Sequence, residues 1–387
     1  MSFKKIKIAV IGSTGSVGKT SLKVISQYPE KFKVEFLACD KNFSIIQKQI
    51  KLFSPKYVYV NNFRVFELLK KKPNYKKIIF IHTLENLARL KNILKFDKAI
   101  LAVPGFEGLD FSFLFIKFCK ELLVANKESI ICGGNILLQK SKNYNCKISS
   151  IDSEHYCIGQ FLNNHIDKIY LTASGGPFLG KNKKNYSHAS IKEVTNHPRW
   201  SMGKKISVDS ATLVNKIFEL IEAHVLFNIP YNKLKIKIHK QSLVHAAIVF
   251  KNGLTNLVMH DTRMDIPIRN SLFDNTFFLH KKNNFHLPSN ISLDFNEKDL
   301  SQFEILKTGY RILRQGHRSW ILFNVINDIL VNKFLNKEIF FYEIVKNLIK
   351  IFNTKKVNSY TKNKVKNFND IKKTIKYGKK ITEKIKC

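Results

Sequence analysis

The sequence predicts an α/β protein in three parts: an N-terminal Rossmann-like doubly wound sheet over 1–150, a central α/β domain over 151–280, and, after a linker at 281–299, a C-terminal helical domain over 300–387. Three observations predict it. Short β-rich apolar runs alternate with helical patterns through the first 150 residues, as parallel β–α units require. The first of those runs feeds a glycine-rich turn that opens a helix. From Leu300 onward strand signals fade and helical periodicity dominates.

A chain of 387 residues can bury a sizeable core, and 44% hydrophobic with 12% aromatic residues excludes a disordered chain. The formal charge of +37 raises the question of a nucleic-acid partner. Only eight of the 66 basic residues are Arg, however, and the lysines are scattered among abundant Asn, Ile and Phe. That distribution reads as compositional drift, so no specific nucleic-acid partner is expected. Six cysteines without CxxC or metal-ligand spacing read as reduced thiols. Lys117, Lys120 and Glu121 interrupt the most apolar region, and the run after Lys5 stops at Gly12, too short for a signal peptide. The expectation is a cytoplasmic protein without a membrane segment.

In chain order, Ile6 to Ile11 reads as a strand that enters Gly12-Ser-Thr-Gly15-Ser-Val-Gly18, followed by a helix from Thr20 to Tyr28. Such glycines let a backbone approach a pyrophosphate at a helix N-terminus, or simply form a tight turn. A second strand, Val34 to Cys39, ends in Asp40-Lys41-Asn42, where an adenine ribose would lie. An acid there suits a free 2′-hydroxyl and a cation suits a 2′-phosphate. Strands follow at Tyr57 to Val60, Lys77 to Ile81, Ala99 to Val103 and, after a helix over Phe111 to Lys120, at Glu121 to Ala125. The last ends in Asn126-Lys127-Glu128, at the sheet edge where ligands of open α/β folds bind, although a solvated loop fits those residues too.

Strand Lys147 to Ile151 leads into Asp152-Ser153-Glu154-His155. If extended, Asp152 and Glu154 share a face, and a hard divalent cation relieves their repulsion. A helix start with acids in its first turn is the alternative. Strand Ile169 to Ala173 ends in Ser174-Gly175-Gly176-Pro177, a plain turn or a set of N–H groups open to phosphate. A polar connection over Lys181 to Lys192 then reaches the densest polar stretch of the chain, His197 to Phe227. Asp209 or Ser210 is a suitable N-cap for a helix over Thr212 to Phe227. Leu213, Ile217, Leu220, Ile221 and Leu226 form its apolar stripe; Asn215, Lys216, Glu219 and Glu222 fall on the other side, as a site or as a solvated face. Strands of antiparallel character are expected at Leu234 to Ile238, Leu243 to Phe250 and Leu254 to His260. Helices are expected over Ser301 to Arg314, Trp320 to Phe334, Ile339 to Phe352 and Asn367 to Ile385.

With these motifs in view, the sequence resembles the 1-deoxy-D-xylulose 5-phosphate reductoisomerase family. The resemblance runs in order through GSTGSVGKTSL at Gly12, LLVANKES at Leu122, IDSEH at Ile151, LTASGGPF at Leu171 and HPRWSMGKKISVDSATLVNKIFELIEAHVLF at His197, dense to about residue 275 and thin beyond. It implies an NADPH-dependent enzyme that uses Mg²⁺ or Mn²⁺, with Co²⁺ also admitted, on a small phosphorylated sugar, assembled as a homodimer. Cofactor contacts would then fall on Thr14, Gly15, Ser16, Val17, Asp40, Lys41, Asn42, Asn126, Glu128 and Gly203. Metal ligands would be Asp152, Glu154 and Glu219. Substrate contacts would be Lys127, Ser153, Glu154, Ser174, His197, Ser210, Asn215, Lys216 and Glu219. Catalysis would centre on Lys127, Glu154, His197, Trp200 and Glu219, with Trp200 and Met202 on a loop that closes over the substrate. Asp40 stands where the family usually has glycine, which implies a weakened NADPH preference. Arg263-Met264-Asp265 stands for a usual Asp-Met-Arg, which implies a salt bridge in exchanged form; Pro104 and Ala173 depart less. A dehydrogenase of the aspartate-semialdehyde type, working without metal, and a polyanion-binding protein built on a decayed enzyme are the competing readings.

Overall fold

The computed structural model describes residues 4–163, 165–182, 186–200, 202–274 and 290–383. They form two compact units. The first comprises the described parts of Met1–Ser129, Leu137–Asp152 and Met264–Lys281, and the second those of Ile130–Ile136, Ser153–Arg263 and Lys282–Cys387.

In the first unit β1 (Ile6–Ile11), β2 (Phe32–Cys39), β3 (Tyr57–Val60), β4 (Ile79–Ile81), β5 (Phe96–Leu101), β6 (Cys119–Val124) and β7 (Lys147–Ser150) form one sheet. Its order is β4-β3-β2-β1-β5-β6-β7, and every pairing is parallel. The connecting helices are α1 (Ser16–Ser26), α2 (Phe43–Phe53), α3 (Phe63–Lys70), α4 (Leu84–Arg89), α5 (Glu107–Phe115) and α6 (Lys127–Asn143). Strands covered on both faces read as continuous apolar runs, which is why Ile8 to Ile11 is apolar throughout. One face packs Val10, Leu37, Val58 and Ile100 with Leu22 and Ile25 of α1 and Ile46 and Ile50 of α2. The other stacks Phe36, Phe96, Phe115 and Phe118 edge to face or in parallel. The strand order reverses between β1 and β5, the place where doubly wound sheets open a crevice at their carboxyl ends.

The second unit begins with α7 (Ser153–Gly159), β8 (Ile166–Ala173), α8 (Ile191–Thr195), α9 (Lys204–Ala211) and α10 (Val214–Phe227). It continues with β9 (Leu234–Ile238), β10 (Val244–Phe250) and β11 (Thr255–Met259). The chain then passes through α11 (Asp265–Leu272), which packs on α1 in the first unit. The last helices are α12 (Ile305–Gln315), α13 (His317–Leu335), α14 (Phe341–Phe352), α15 (Lys355–Thr361) and α16 (Phe368–Glu383). The four-stranded sheet has order β11-β10-β8-β9, with β8 and β9 parallel and the other pairs antiparallel. Helix α10 packs on α9 and α12, and α13 on α9, α14 and α16.

Several expected boundaries move. Helix α5 starts at Glu107 and ends at Phe115, because it is buried on almost every side and so offers no periodicity from which to read its phase. Helix α15 was not expected: only Val357 and Thr361 are buried in it, and its start rests on the Thr354 side chain. Of the expected linker, 281–289 lies outside the described residues, while Asn296 exchanges two backbone hydrogen bonds with Ile238 and so extends the β9 edge. Asp265 pairs with Arg269 one turn on in α11, at 2.9 Å.

Candidate active site

The glycine turn is sterically obligatory. A Cβ at Gly12, whose φ is +84°, would stand 2.6 Å from the Ala102 carbonyl oxygen, and one at Gly18 would stand 2.3 Å from the Gly12 oxygen. Gly15 begins α1 without a side-chain cap, so the first-turn N–H groups there are left for a ligand or solvent. Thr14 and Val17 are half-buried, and Gly15 and Ser16 exposed. At the end of β2, Asp40 and Lys41 are exposed; Asp40 accepts from Asn61 Nδ2 at 3.0 Å, and Asn42 caps α2 through Ile45 N–H.

Asn126 turns inward. Its Nδ2 donates to the Val103 carbonyl at 2.6 Å, to Gly105 at 3.1 Å and to Glu128, while its Oδ1 accepts from Ser129. It is 3% exposed, so its side chain shapes the β5 and β6 loops from beneath. Lys127, also buried, reaches Asp152 Oδ1 at 2.7 Å.

The stretch from Gly203 to Phe227 folds differently from the expected single helix with an Asp209 or Ser210 cap. Gly203 is the exposed start of α9, Asp209 is buried inside that helix and accepts from Asn327 Nδ2 at 2.7 Å, and Ser210 lies half-buried in its last turn. The break comes at Leu213, which adopts φ 63° and ψ 9°, a left-handed conformation that costs a non-glycine residue energy. Nothing in the local sequence signals it, since Lys204 to Phe227 contains neither Gly nor Pro.

The break sets the face of α10 that carries the polar residues, and that face is enclosed. Lys216 is 5%, Glu219 1% and Glu222 1% exposed, which rules out the solvated alternative. The Lys216 ammonium lies 2.6 Å from Glu154 Oε1 and 2.5 Å from Glu219 Oε2. Burial opposes the lysine charge, but the two carboxylates prevail and hold its pKa above the ordinary value. Asn215 Nδ2 donates to Glu219 Oε1 at 2.6 Å, and Ser153 Oγ donates to Glu154 at 2.5 Å.

Glu154 sits in the first turn of α7, so the extended arrangement of Asp152 and Glu154 is not what is found. One oxygen from each of Asp152, Glu154 and Glu219 nonetheless lies within 4.8 Å of the others. Sequence reasoning assigned no role to His155, whose Nε2 donates to the Glu219 backbone oxygen at 2.9 Å and whose Nδ1 faces Glu222 at 3.5 Å. Its position next to Glu154 was the available signal.

A second group surrounds Ser174 at the end of β8. His197 Nδ1 accepts from the backbone N–H groups of Arg199 and Trp200, at 3.2 and 2.9 Å, so the neutral ring carries its proton on Nε2. That Nε2–H donates to Ser174 Oγ at 2.8 Å, and Gly176 N–H donates to the same oxygen at 3.1 Å. Ser174 thus accepts twice and keeps its own O–H to donate. Burial, with Lys216 nearby, pushes the His197 pKa down to about 4 and keeps the ring neutral. Gly176, at φ +70°, lies against the Ser210 carbonyl, where a Cβ would be 3.2 Å away. Trp200 and Met202 are half-buried; Ser201 between them lies outside the described residues.

Three family models match the chain: 1-deoxy-D-xylulose 5-phosphate reductoisomerase over residues 8–134, its C-terminal domain over 148–227, and a DXP reductoisomerase C-terminal domain over 259–381. The last match carries the likeness well past residue 275, where the sequence motifs thin out. A Pelagibacter ubique protein described as 1-deoxy-D-xylulose 5-phosphate reductoisomerase is 40% identical over 374 residues, 94% of this chain and 95% of that one. One so described from the Wolbachia of Drosophila simulans is 38% identical over 88% of each chain. Among solved structures, DOX-P reductoisomerase in complex with NADPH, fosmidomycin and magnesium is similar with a TM-score of 0.91 and 29% identity, covering 98% of this chain and 97% of that one. The Zymomonas mobilis reductoisomerase, solved with NADPH, shares the fold at a TM-score of 0.84 and 24% identity, over 99% of this chain and all of that one.

Proposed function

The chain belongs to the 1-deoxy-D-xylulose 5-phosphate reductoisomerase family, and from that premise we propose how its residues divide the work. It is an oxidoreductase whose reaction is the NADPH- and divalent-metal-dependent rearrangement and reduction of 1-deoxy-D-xylulose 5-phosphate to 2-C-methyl-D-erythritol 4-phosphate, in the non-mevalonate isoprenoid precursor pathway.

Residues 1–150 take the dinucleotide. The glycine turn and the uncapped start of α1 suit a pyrophosphate, and Lys41 beside Asp40 suits the 2′-phosphate. NADPH supplies the hydride. Residues 151–280 take metal and substrate, and 300–387 buttress them through α12 and α13.

The observation that supports this most is the buried Lys216 ammonium held between Glu154 and Glu219. A cation already stands where carboxylates converge, and oxygens of this kind suit Mg²⁺ or Mn²⁺. A divalent ion there supplies Lewis-acid stabilisation of negative charge developing on substrate oxygens. Asp152, Glu154 and Glu219 would hold that ion, and Lys216, no longer needed to neutralise two of them, would serve the substrate phosphate together with Ser210, Asn215 and Ser174. Ser174 donates its remaining proton to a phosphate oxygen while His197 fixes the orientation of its hydroxyl. Because His197 also holds the Trp200 N–H, phosphate binding and loop position share one side chain, and Trp200 excludes water when the loop closes. Lys127, paired with Asp152, orients that carboxylate towards the metal set.

We place the enzyme in the cytoplasm, where the five free, buried cysteines among the described residues would stay reduced, and propose the homodimer that the family resemblance implies. The deciding assay follows NADPH oxidation with the sugar phosphate and Mg²⁺ or Mn²⁺, then adds chelator. Turnover that stops with chelator and returns with metal is expected; turnover indifferent to chelator would overturn the metal assignment.

A further inference from the structure

We propose that His260 is a positioning residue for the closing loop, acting through His245 as the seat on which Trp200 rests. This rests on the reading of the segment around Trp200 as that loop. The ring of Trp200 meets the His245 imidazole edge to face, with centroids 5.9 Å apart and planes at 69°. His260 stacks on His245 at 3.9 Å and 22°, so His245 is in contact with both other rings.

Both histidines are buried, and each is tied by one nitrogen to backbone: His245 Nε2 donates to the His260 carbonyl at 3.2 Å and His260 Nδ1 to the Asp261 carbonyl at 2.6 Å. These bonds fix the plane of each ring and make the pair a rigid wall. Burial also holds the His245 pKa down at about 4, which keeps that ring uncharged at neutral pH. A rigid π surface suits the indole of a loop that must dock and release repeatedly, because each ring contact shifts that balance about two- to tenfold.

The test compares His260→Ala with His260→Phe, which restores a stacked ring. The chain has two tryptophans, so subtracting the emission of Trp200→Phe isolates the Trp200 signal. In His260→Ala, Trp200 should become more accessible to acrylamide and the KM for the sugar phosphate should rise about two- to tenfold, with kcat changed less. His260→Phe should restore both. Unchanged quenching in His260→Ala, or a His260→Phe protein as impaired as the alanine variant, would overturn the proposal. Should the alanine variant not fold, His260→Leu offers similar volume without a π face and gives the same contrast. Quenching is read without substrate, so it stands even if the assigned reaction fails.

Discussion

At the residue scale, Lys216 decides how the acidic cluster survives without metal. Its ammonium compensates the buried Glu219 and the half-buried Glu154, and removing one member of such a set costs up to about 3–5 kcal/mol. Lys216→Gln should therefore lose stability of that order in chelator and regain most of it with saturating Mg²⁺. Urea denaturation in both conditions measures it, and equal stability of variant and parent in chelator would refute the compensating role. Asp40 is the second residue with a distinct consequence. It accepts from Asn61 at the end of β2, and its carboxylate would oppose a 2′-phosphate bound there as proposed above. A like charge there costs about 1 kcal/mol, or roughly fivefold, so Asp40→Gly should lower the NADPH KM by that factor relative to NADH. A strong NADPH preference in the parent, unchanged by the substitution, would remove Asp40 from the argument.

At the element scale, the glycine turn ties β1, α1 and β5 together. Gly18→Ala would push a methyl group into the Gly12 carbonyl, a clash with backbone that no rotamer change relieves. We expect a stability loss of about 1–3 kcal/mol and NADPH binding at least about tenfold weaker, since helix N-terminus and turn must separate. Fluorescence titration of NADPH checks this; unaltered affinity would mean that the turn is structural only. Helix α6 shows how an element can be interrupted for packing. Gly134 leaves helical geometry at φ 50°, and His317 Nε2 donates to the Cys132 carbonyl at 2.8 Å. Its imidazole also occupies the space a Cβ on Gly134 would need.

At the scale of the whole molecule, three histidines shielded from solvent, His245 buried and His197 and His317 half-buried, make the fold sensitive to acid. His197, His245 and His317 each have a pKa lowered from 6.5 to about 4, chiefly by burial. Their neutral forms are favoured in the folded state, so the stability they contribute is present above pH 6.5. As pH falls from 6.5 towards 4 the unfolded chain binds protons that the folded chain refuses, and that stability is lost. Each contributes a slope of up to about 1.4 kcal/mol per pH unit. The denaturant midpoint should fall steeply across this window, and less steeply in His317→Gln, which cannot take up the proton. A midpoint flat between pH 6.5 and 4.5 would contradict the neutral, buried assignment.

The parallel sheet, the glycine turn and the polar clusters at strand ends were legible in the sequence, because each is written locally: apolar runs of strand length, glycines where a side chain cannot fit, and motifs in a fixed order. The family could be read the same way. Only the tertiary structure decided that Leu213 is left-handed, that α9 and α10 are two helices, that Asn126 faces inward as a cap and that His155 and His260 stand behind functional side chains. The physical reason is that periodicity reports which face of an element is apolar, whereas the fate of the polar face depends on partners remote in sequence. Lys216, Glu219 and Glu222 look solvated on an isolated helix and are enclosed in the folded protein. Their charges persist there because α7 brings Glu154 and His155 from some sixty residues away.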